Sequence, residues 1–207
     1  MIDENTWIIS DTHFDHRNLV EKYEPVRLET YLKYGYKSFD DFQVDQWNSK
    51  IKDDDTVLHL GDFTIDKHDD EKTVYNILRF TEVLKGKKIL LKGNHELEYD
   101  EVYEELGWVV VKEPSIGSRF PYIIKELCGK KILFCHIPIR MTGIIDKYSM
   151  YYNEINKVFI DNSCDICIHG HSHSKISKDT RCVNVSVENT AFLPTRIMDI
   201  IAKVNSK

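Results

Sequence analysis

Five short segments carry side chains able to ligate a metal ion: Asp11-Thr12-His13, Gly61-Asp62, Gly93-Asn94-His95-Glu96, His136, and His169-Gly170-His171-Ser172-His173. Carboxylate, imidazole and amide donors with no thiolate among them suit divalent ions of hard or borderline character, such as Mn²⁺, Fe or Zn²⁺. Any one segment is weak evidence, since an Asp-x-His pattern arises by chance and Gly-Asp is commonly a turn. Their shared context is harder to dismiss. Each follows directly on a short apolar run.

Those runs cover residues 6–10, 56–60, 88–92, 131–135 and 165–169, with a sixth at 182–187. Most are continuous rather than alternating, as expected of strands covered on both faces. Ligand sites in open α/β sheets form beyond the carboxyl ends of strands, so five strand ends can converge on one place. Gly61, Gly93 and Gly170 permit the close backbone approach that such a rim requires. Helical patterns lie between the runs. Val74, Ile77, Leu78 and Leu84 form a stripe over 71–85, with Gly86 as a stop signal. Tyr148, Tyr151, Tyr152, Ile155, Val158 and Phe159 give an amphipathic face over 148–160. A less regular helix is expected over 39–51, and a closing helix over 195–204 behind Pro194. Strands at 108–111 and 122–126 come without a helix between them, the second entering a hairpin through Cys128-Gly129-Lys130. The first half thus alternates α and β, the second is partly antiparallel, and one α/β domain over 1–207 is expected.

The order Asp-x-His, Gly-Asp, Gly-Asn-His-(Asp/Glu), His, Gly-His-x-His resembles the calcineurin-like metallophosphoesterase superfamily, and all five blocks are present between residues 11 and 173. Ser10-Asp11-Thr12-His13-Phe14, Trp47-Asn48, His59-Leu60-Gly61-Asp62-Phe63 and His136-Ile137-Pro138-Ile139 look like its short bacterial and phage branch. The resemblance implies a four-layer α/β/β/α sandwich of two mixed sheets flanked by helices. It implies two divalent metal ions; the thiolate-free donor set makes Mn²⁺ the first choice, with Fe or Zn²⁺ the alternatives. One ion would take Asp11, His13, Asp62 and His173; the other Asp62, Asn94, His136 and His171, with Asp62 bridging. A bridging hydroxide would attack phosphorus in line with the leaving oxygen, and His95 would serve as catalytic acid or phosphoryl donor beside the leaving group. Such a centre keeps about one positive charge and attracts a phosphate ester locally.

Two departures from the superfamily's patterns bear on the substrate. Glu96 stands where many relatives carry Asp; both residues occur in the superfamily, so this departure costs little. Gly61-Asp62-Phe63-Thr64-Ile65-Asp66-Lys67 lacks the arginine that follows Gly-Asp in protein Ser/Thr phosphatases, which argues against that activity. Asp66 and Glu96 are the candidate carboxylates to orient His95. Arg17, Arg140 and His16 lie within a few residues of a ligand block and are candidate substrate contacts, with surface salt bridges the plain reading of the arginines and a cap on the helix that starts there that of His16. Segment 99–129, lying between two ligand blocks, is expected to wall or cap the pocket. His59 and His169, inside apolar strands, read as core histidines, and Cys164-x-x-Cys167 as buried thiols.

Composition narrows the partners. Lys plus Arg number 28 and Asp plus Glu 34, a net charge of -6, against a nucleic-acid-coating surface. The expected substrate is a small phosphodiester or phosphomonoester, nucleotide-derived, with diester favoured because few arginines are placed to balance a dianion. A nuclease and a non-catalytic binding module of the same fold are the alternatives. The acidic start Met1-Ile2-Asp3-Glu4-Asn5 does not read as a secretory signal, and no apolar stretch reaches the ~18 residues of a membrane span. Five cysteines, an odd number without scaffold spacing, point to a reduced, cytoplasmic protein.

Overall fold

The computed structural model describes residues 2–65, 68–96, 98–139 and 147–205. The parallel strands β1 (Trp7–Ile9), β2 (Thr56–His59), β3 (Lys87–Leu91) and β4 (Val109–Val111) form one sheet, closed at the β1 edge by antiparallel β10 (Thr195–Arg196) in the order β10-β1-β2-β3-β4. The second sheet has the order β5-β6-β7-β8-β9. There β5 (Ser115–Ile116), β6 (Phe120–Leu127) and β7 (Lys130–Cys135) are antiparallel, while β8 (Ile166–His169) and β9 (Cys182–Asn184) continue parallel to β7.

The continuous apolar runs are explained by burial on both faces of each sheet. Ile8, Leu58, Leu60 and Leu91 face Ile132, Phe134, Ile166 and Ile168 across the space between the sheets. Helix α6 (Ile197–Asn205) closes that layer with Ile197, Ile200 and Ile201. The alternate residues Ile9, Val57 and Leu90 turn outward to α2 (Phe39–Lys50) and α3 (Asp70–Val83), meeting Phe39, Phe42, Trp47, Ile77 and Phe80. On the far side, Leu133, Cys135 and Cys167 pack against Tyr152, Ile155 and Phe159 of α5 (Ser149–Asp161). Two mixed sheets flanked by helices result, the four-layer architecture that the motif order implied. Fully burying one such aliphatic or aromatic side chain is worth roughly 1.5–3 kcal/mol, so the three layers together dominate the stabilisation.

Local signals set the helix boundaries. Ser38 caps α2 by accepting the Asp41 amide at 3.1 Å, and Asp69 caps α3 by accepting the Lys72 amide at 2.9 Å. Two further α-helices appear, α1 (Pro25–Lys33), with Pro at its start, and the short α4 (Asp100–Glu105), besides a π-helical turn at Leu19–Tyr23 and a 3-10 turn at Val187–Asn189. On α3 the buried face is Thr73, Asn76, Ile77 and Phe80, so Val74 and Leu78 of the expected stripe lie on the exposed side. Asn76 is buried on that face with its amide satisfied, donating to Asp15 Oδ2 at 3.1 Å. Segment 99–129 supplies α4, the last strand of the first sheet and the hairpin β5–β6 of the second.

Candidate metal centre

The carboxyl ends of β1, β2, β3, β7 and β8 lead into the five motif segments, and backbone bonds lace these loops together. The Asp11, His13 and Phe14 amides donate to the carbonyls of Gly61, Asp62 and Phe63 at 3.0, 3.0 and 2.8 Å. The Gly170 amide donates to the His136 carbonyl at 2.9 Å, and Ser10 and Ser186 form a lone bridge between the two sheets. Asp11, His13, Asp62, His171 and His173 all have left-handed backbone, with φ between 47° and 66°. Non-glycine residues there cost roughly 1–3 kcal/mol each, a strain tolerated where the surroundings over-determine it and commonly found at functional sites. A Cβ on Gly93 would strike Asp62 Oδ1, and one on Gly170 would strike Ser10 Oγ and Asp11 Oδ2. Both glycines are therefore required for the carboxylates to enter.

The side chains meet in three overlapping clusters: Asp11, His13 and His173; His13, Asp62 and His95; Asp62, His136 and His171. Asp62 Oδ2 stands 3.4 Å from His13 Nε2, 3.5 Å from His136 Nε2 and 3.7 Å from His95 Nε2. Asp11 Oδ1 is 3.9 Å from Nε2 of both His13 and His173. Asn94 Oδ1 lies 3.3 Å from His136 Nε2. All seven residues that the resemblance implied as ligands thus gather around one point, together with His95.

The donor set fits a cation. His13 is buried with both ring nitrogens lacking a hydrogen bond, and burial holds its pKa well below the ordinary value, so it is a neutral imidazole with a lone pair to offer. Burial likewise holds His171 down at about 3. His136 Nδ1 donates to the Leu60 carbonyl at 2.7 Å, which leaves Nε2 facing Asp62 and Asn94. Burial pulls His136 down, but the Asp62 charge outweighs it and raises the ring to about 9. Asp62, which burial would raise, is held well below the usual carboxylate range by His136 and His95. A buried carboxylate that draws positive charge from several sides, with an unsatisfied imidazole beside it, is the environment a divalent ion completes.

Residues outside the motifs orient this set. Glu188 Oε1 accepts from His173 Nδ1 at 3.2 Å, turning His173 Nε2 toward Asp11. Arg27, fully buried on α1, pairs with the same carboxylate at 2.5 Å and donates to the Asp11 and Thr12 carbonyls at 2.7 and 2.9 Å. Ser186 Oγ donates to Asp11 Oδ2 at 2.9 Å. Tyr152 Oη is 3.1 Å from His171 Nε2. Nothing in sequence spacing marks Arg27, Glu188 or Ser186, because each reaches the centre from a segment without a motif. Tyr152 belongs to the apolar face of α5, a pattern that carries no sign of its hydroxyl's role.

The candidate accessory residues divide. The His16 ring lies 5.4 Å from His13 and 6.4 Å from His95, beside the centre. Arg17 is exposed and paired with Glu21 at 2.7 Å. Arg140 and Asp66 fall outside the described residues. Glu96 does not orient His95, contrary to one of the two readings. Its carboxylate is fully engaged by the backbone amides of Asp62, Phe63 and Gly93 at 2.9, 2.5 and 2.8 Å, clamping two loops together. Burial and the Asp62 charge push it up to about 7 against those donors. His59 is a satisfied core histidine: Nδ1 accepts the Gly61 amide, Nε2 meets Thr12 Oγ1, and burial holds it at about 3. His169 is buried with Nδ1 on the Gly170 carbonyl. Cys167 is a buried thiol 3.7 Å from that of Cys135.

Comparison with known proteins agrees with this geometry. Residues 5–175 match the calcineurin-like phosphoesterase family. The chain is 24% identical to the uncharacterised protein MJ1445 of Methanocaldococcus jannaschii, over 97% of this chain and 91% of the relative. It is 26% identical to the gene 66 protein of Mycobacterium phage L5, over 82% and 78% of the two chains. A crystal structure of AQ665, a protein of unknown function from Aquifex aeolicus, superposes with a TM-score of 0.71 at 28% identity, covering 96% of this chain and 98% of that one. With the fold, the order of the motifs and the matched span in accord, the chain belongs to the calcineurin-like phosphoesterase family.

Proposed function

We propose that this chain hydrolyses a small phosphodiester with two divalent ions, Mn²⁺ being the first choice. One ion would be held by Asp11, His13, Asp62 and His173, the other by Asp62, Asn94, His136 and His171. The observation that carries this reading is the position of Asp62, whose Oδ2 lies within 3.7 Å of imidazole nitrogens of His13, His95 and His136 and so belongs to clusters on either side. When bound, such ions acidify a water toward neutrality and withdraw charge from the phosphoryl oxygens. The chain's own groups do the rest. With Asn94 Oδ1 turned to the centre, its amide hydrogens are left to donate to a phosphoryl oxygen. His95, whose backbone amide is fixed on Asp62 Oδ1 at 3.1 Å, stands half-buried at the rim, where its ring can protonate a departing alkoxide.

A diester is favoured over a monoester because two arginines near the motif loops are already engaged, Arg27 by Glu188 and two carbonyls, Arg17 by Glu21. A dianionic phosphate asks for more positive charge than they leave. The five free cysteines accord with a reducing, cytoplasmic setting. Among the described residues no helix is long and apolar enough to cross a membrane. The test is turnover of matched chromogenic phosphodiesters and phosphomonoesters with Mn²⁺, Fe²⁺ or Zn²⁺. Faster cleavage of the diester supports the reading; absence of turnover with every ion would favour a non-catalytic binding module.

A further inference from the structure

On the His136–His171 side the centre is bounded by aromatic rings. The Phe120 ring lies parallel to His136 (6.3 Å, 9°), and the Tyr148 ring meets His171 edge-on (4.9 Å, 89°). Arg119 sits beyond both. Its guanidinium carbon is 5.5 Å from the Phe120 ring and 5.9 Å from the Tyr148 ring, one ring removed from each imidazole. The backbone beneath it is fixed: Gly117 and Ser118, both left-handed, make the tight turn joining β5 to β6, and the Arg119 amide closes it on the Ile116 carbonyl at 2.9 Å. Arg119 Nε is buried without a hydrogen-bond partner, and among the described residues no carboxylate pairs with the guanidinium.

A buried guanidinium N–H without an acceptor is costly, and the two flanking rings cannot supply one in its plane. What fits is an oxyanion approaching side-on, taking Nε–H and one Nη–H together in the planar fork that arginine offers and lysine does not. We propose that Arg119, with Phe120 and Tyr148, forms a subsite for a second phosphate group of the substrate, remote from the one hydrolysed. The substrate is then a nucleotide-like diester bearing a further phosphate; Phe120 is fully buried and props the guanidinium from behind, and the partly exposed Tyr148 is the ring a base can reach. The subsite rests on the phosphoesterase reading for its occupant, and binding can be measured without turnover.

The experiment is calorimetric titration of the Mn²⁺-loaded protein with adenosine 3′,5′-bisphosphate and adenosine 5′-monophosphate. A charge-assisted fork is worth about tenfold in affinity or more, so the wild-type protein should prefer the bisphosphate by that factor. Arg119→Met should abolish most of the preference. Arg119→Lys, which keeps a cation over the rings but loses the fork, should retain only a minor part of it. A wild-type ratio near one, or a preference that survives in Arg119→Met, overturns the subsite. Discrimination by a protein that cleaves no ester would count against hydrolysis and leave the subsite standing.

Discussion

Glu188→Gln tests the buried network that orients the centre. In the native chain the Glu188 carboxylate is almost fully inaccessible, pairs with Arg27 at 2.5 Å and accepts from His173 at 3.2 Å. Burial alone would raise its pKa; the Arg27 charge and the His173 hydrogen bond outweigh that and hold it at about 2. A Glu held that far below its ordinary value contributes about 3 kcal/mol at neutral pH. Breaking a buried pair by removing one charge costs a similar ~3–5 kcal/mol, since Arg27 would stay buried without its counter-charge. The sign is that of a depressed carboxyl: the contribution is complete above the ordinary Glu pKa and is lost as pH falls from about 5 toward 2. Urea unfolding of the metal-free protein should therefore show a loss of about 3 kcal/mol for the variant at pH 7 and a shallower acid limb. Because the carboxylate charge also makes His173 a more basic donor than a neutral amide would, metal affinity should fall about 10–100-fold. A variant within ~0.5 kcal/mol of wild type at pH 7, with unchanged metal affinity, would refute the network's role.

Asp62→Asn should weaken binding of both ions together, read by metal analysis after dialysis; loss of one ion alone would count against bridging. His95→Ala should lower turnover by roughly 10²–10⁴-fold with metal content intact, and unaltered turnover would remove His95 from the chemistry. Asp40 is held up at about 6, chiefly by burial and also by the Asp15 charge, so its ionisation costs stability that grows as pH rises from about 4 to 6. Asn can still accept the Asp15 amide that Asp40 Oδ1 takes at 3.0 Å. Asp40→Asn should then gain up to about 3 kcal/mol at pH 7 and little at pH 4 in chemical unfolding, and equal stabilities at pH 7 would contradict this.

The strand ends and the donor side chains that follow them are readable because two simple regularities coincide there. Strands buried on both faces need unbroken apolar runs, and the polar residue that ends each run has only the sheet's rim to occupy. Asp11, Asp62, Asn94, His136, His171 and His173 stand out for that reason. Helix α1 shows the opposite case. Its fully buried residue is Arg27, while Val26 and Leu32 are exposed, so any apolar pattern would assign its faces the wrong way round. Glu96 shows a third: a carboxylate beside His95 in the chain invites a role in orienting it, yet its oxygens are taken by three backbone amides.

Chain chemistry alone marked the donor set, since donor identity and the order of strand-end motifs depend only on residue type and spacing. Which groups hold the donors in place was decided by folding. Arg27 and Glu188 are 161 residues apart in sequence and bond at 2.7 Å, because α1 and the turn after β9 are brought against the same strand end. A contact of that separation leaves no periodic trace, and its energy comes from burying opposite charges together, a condition that exists only once the layers have closed.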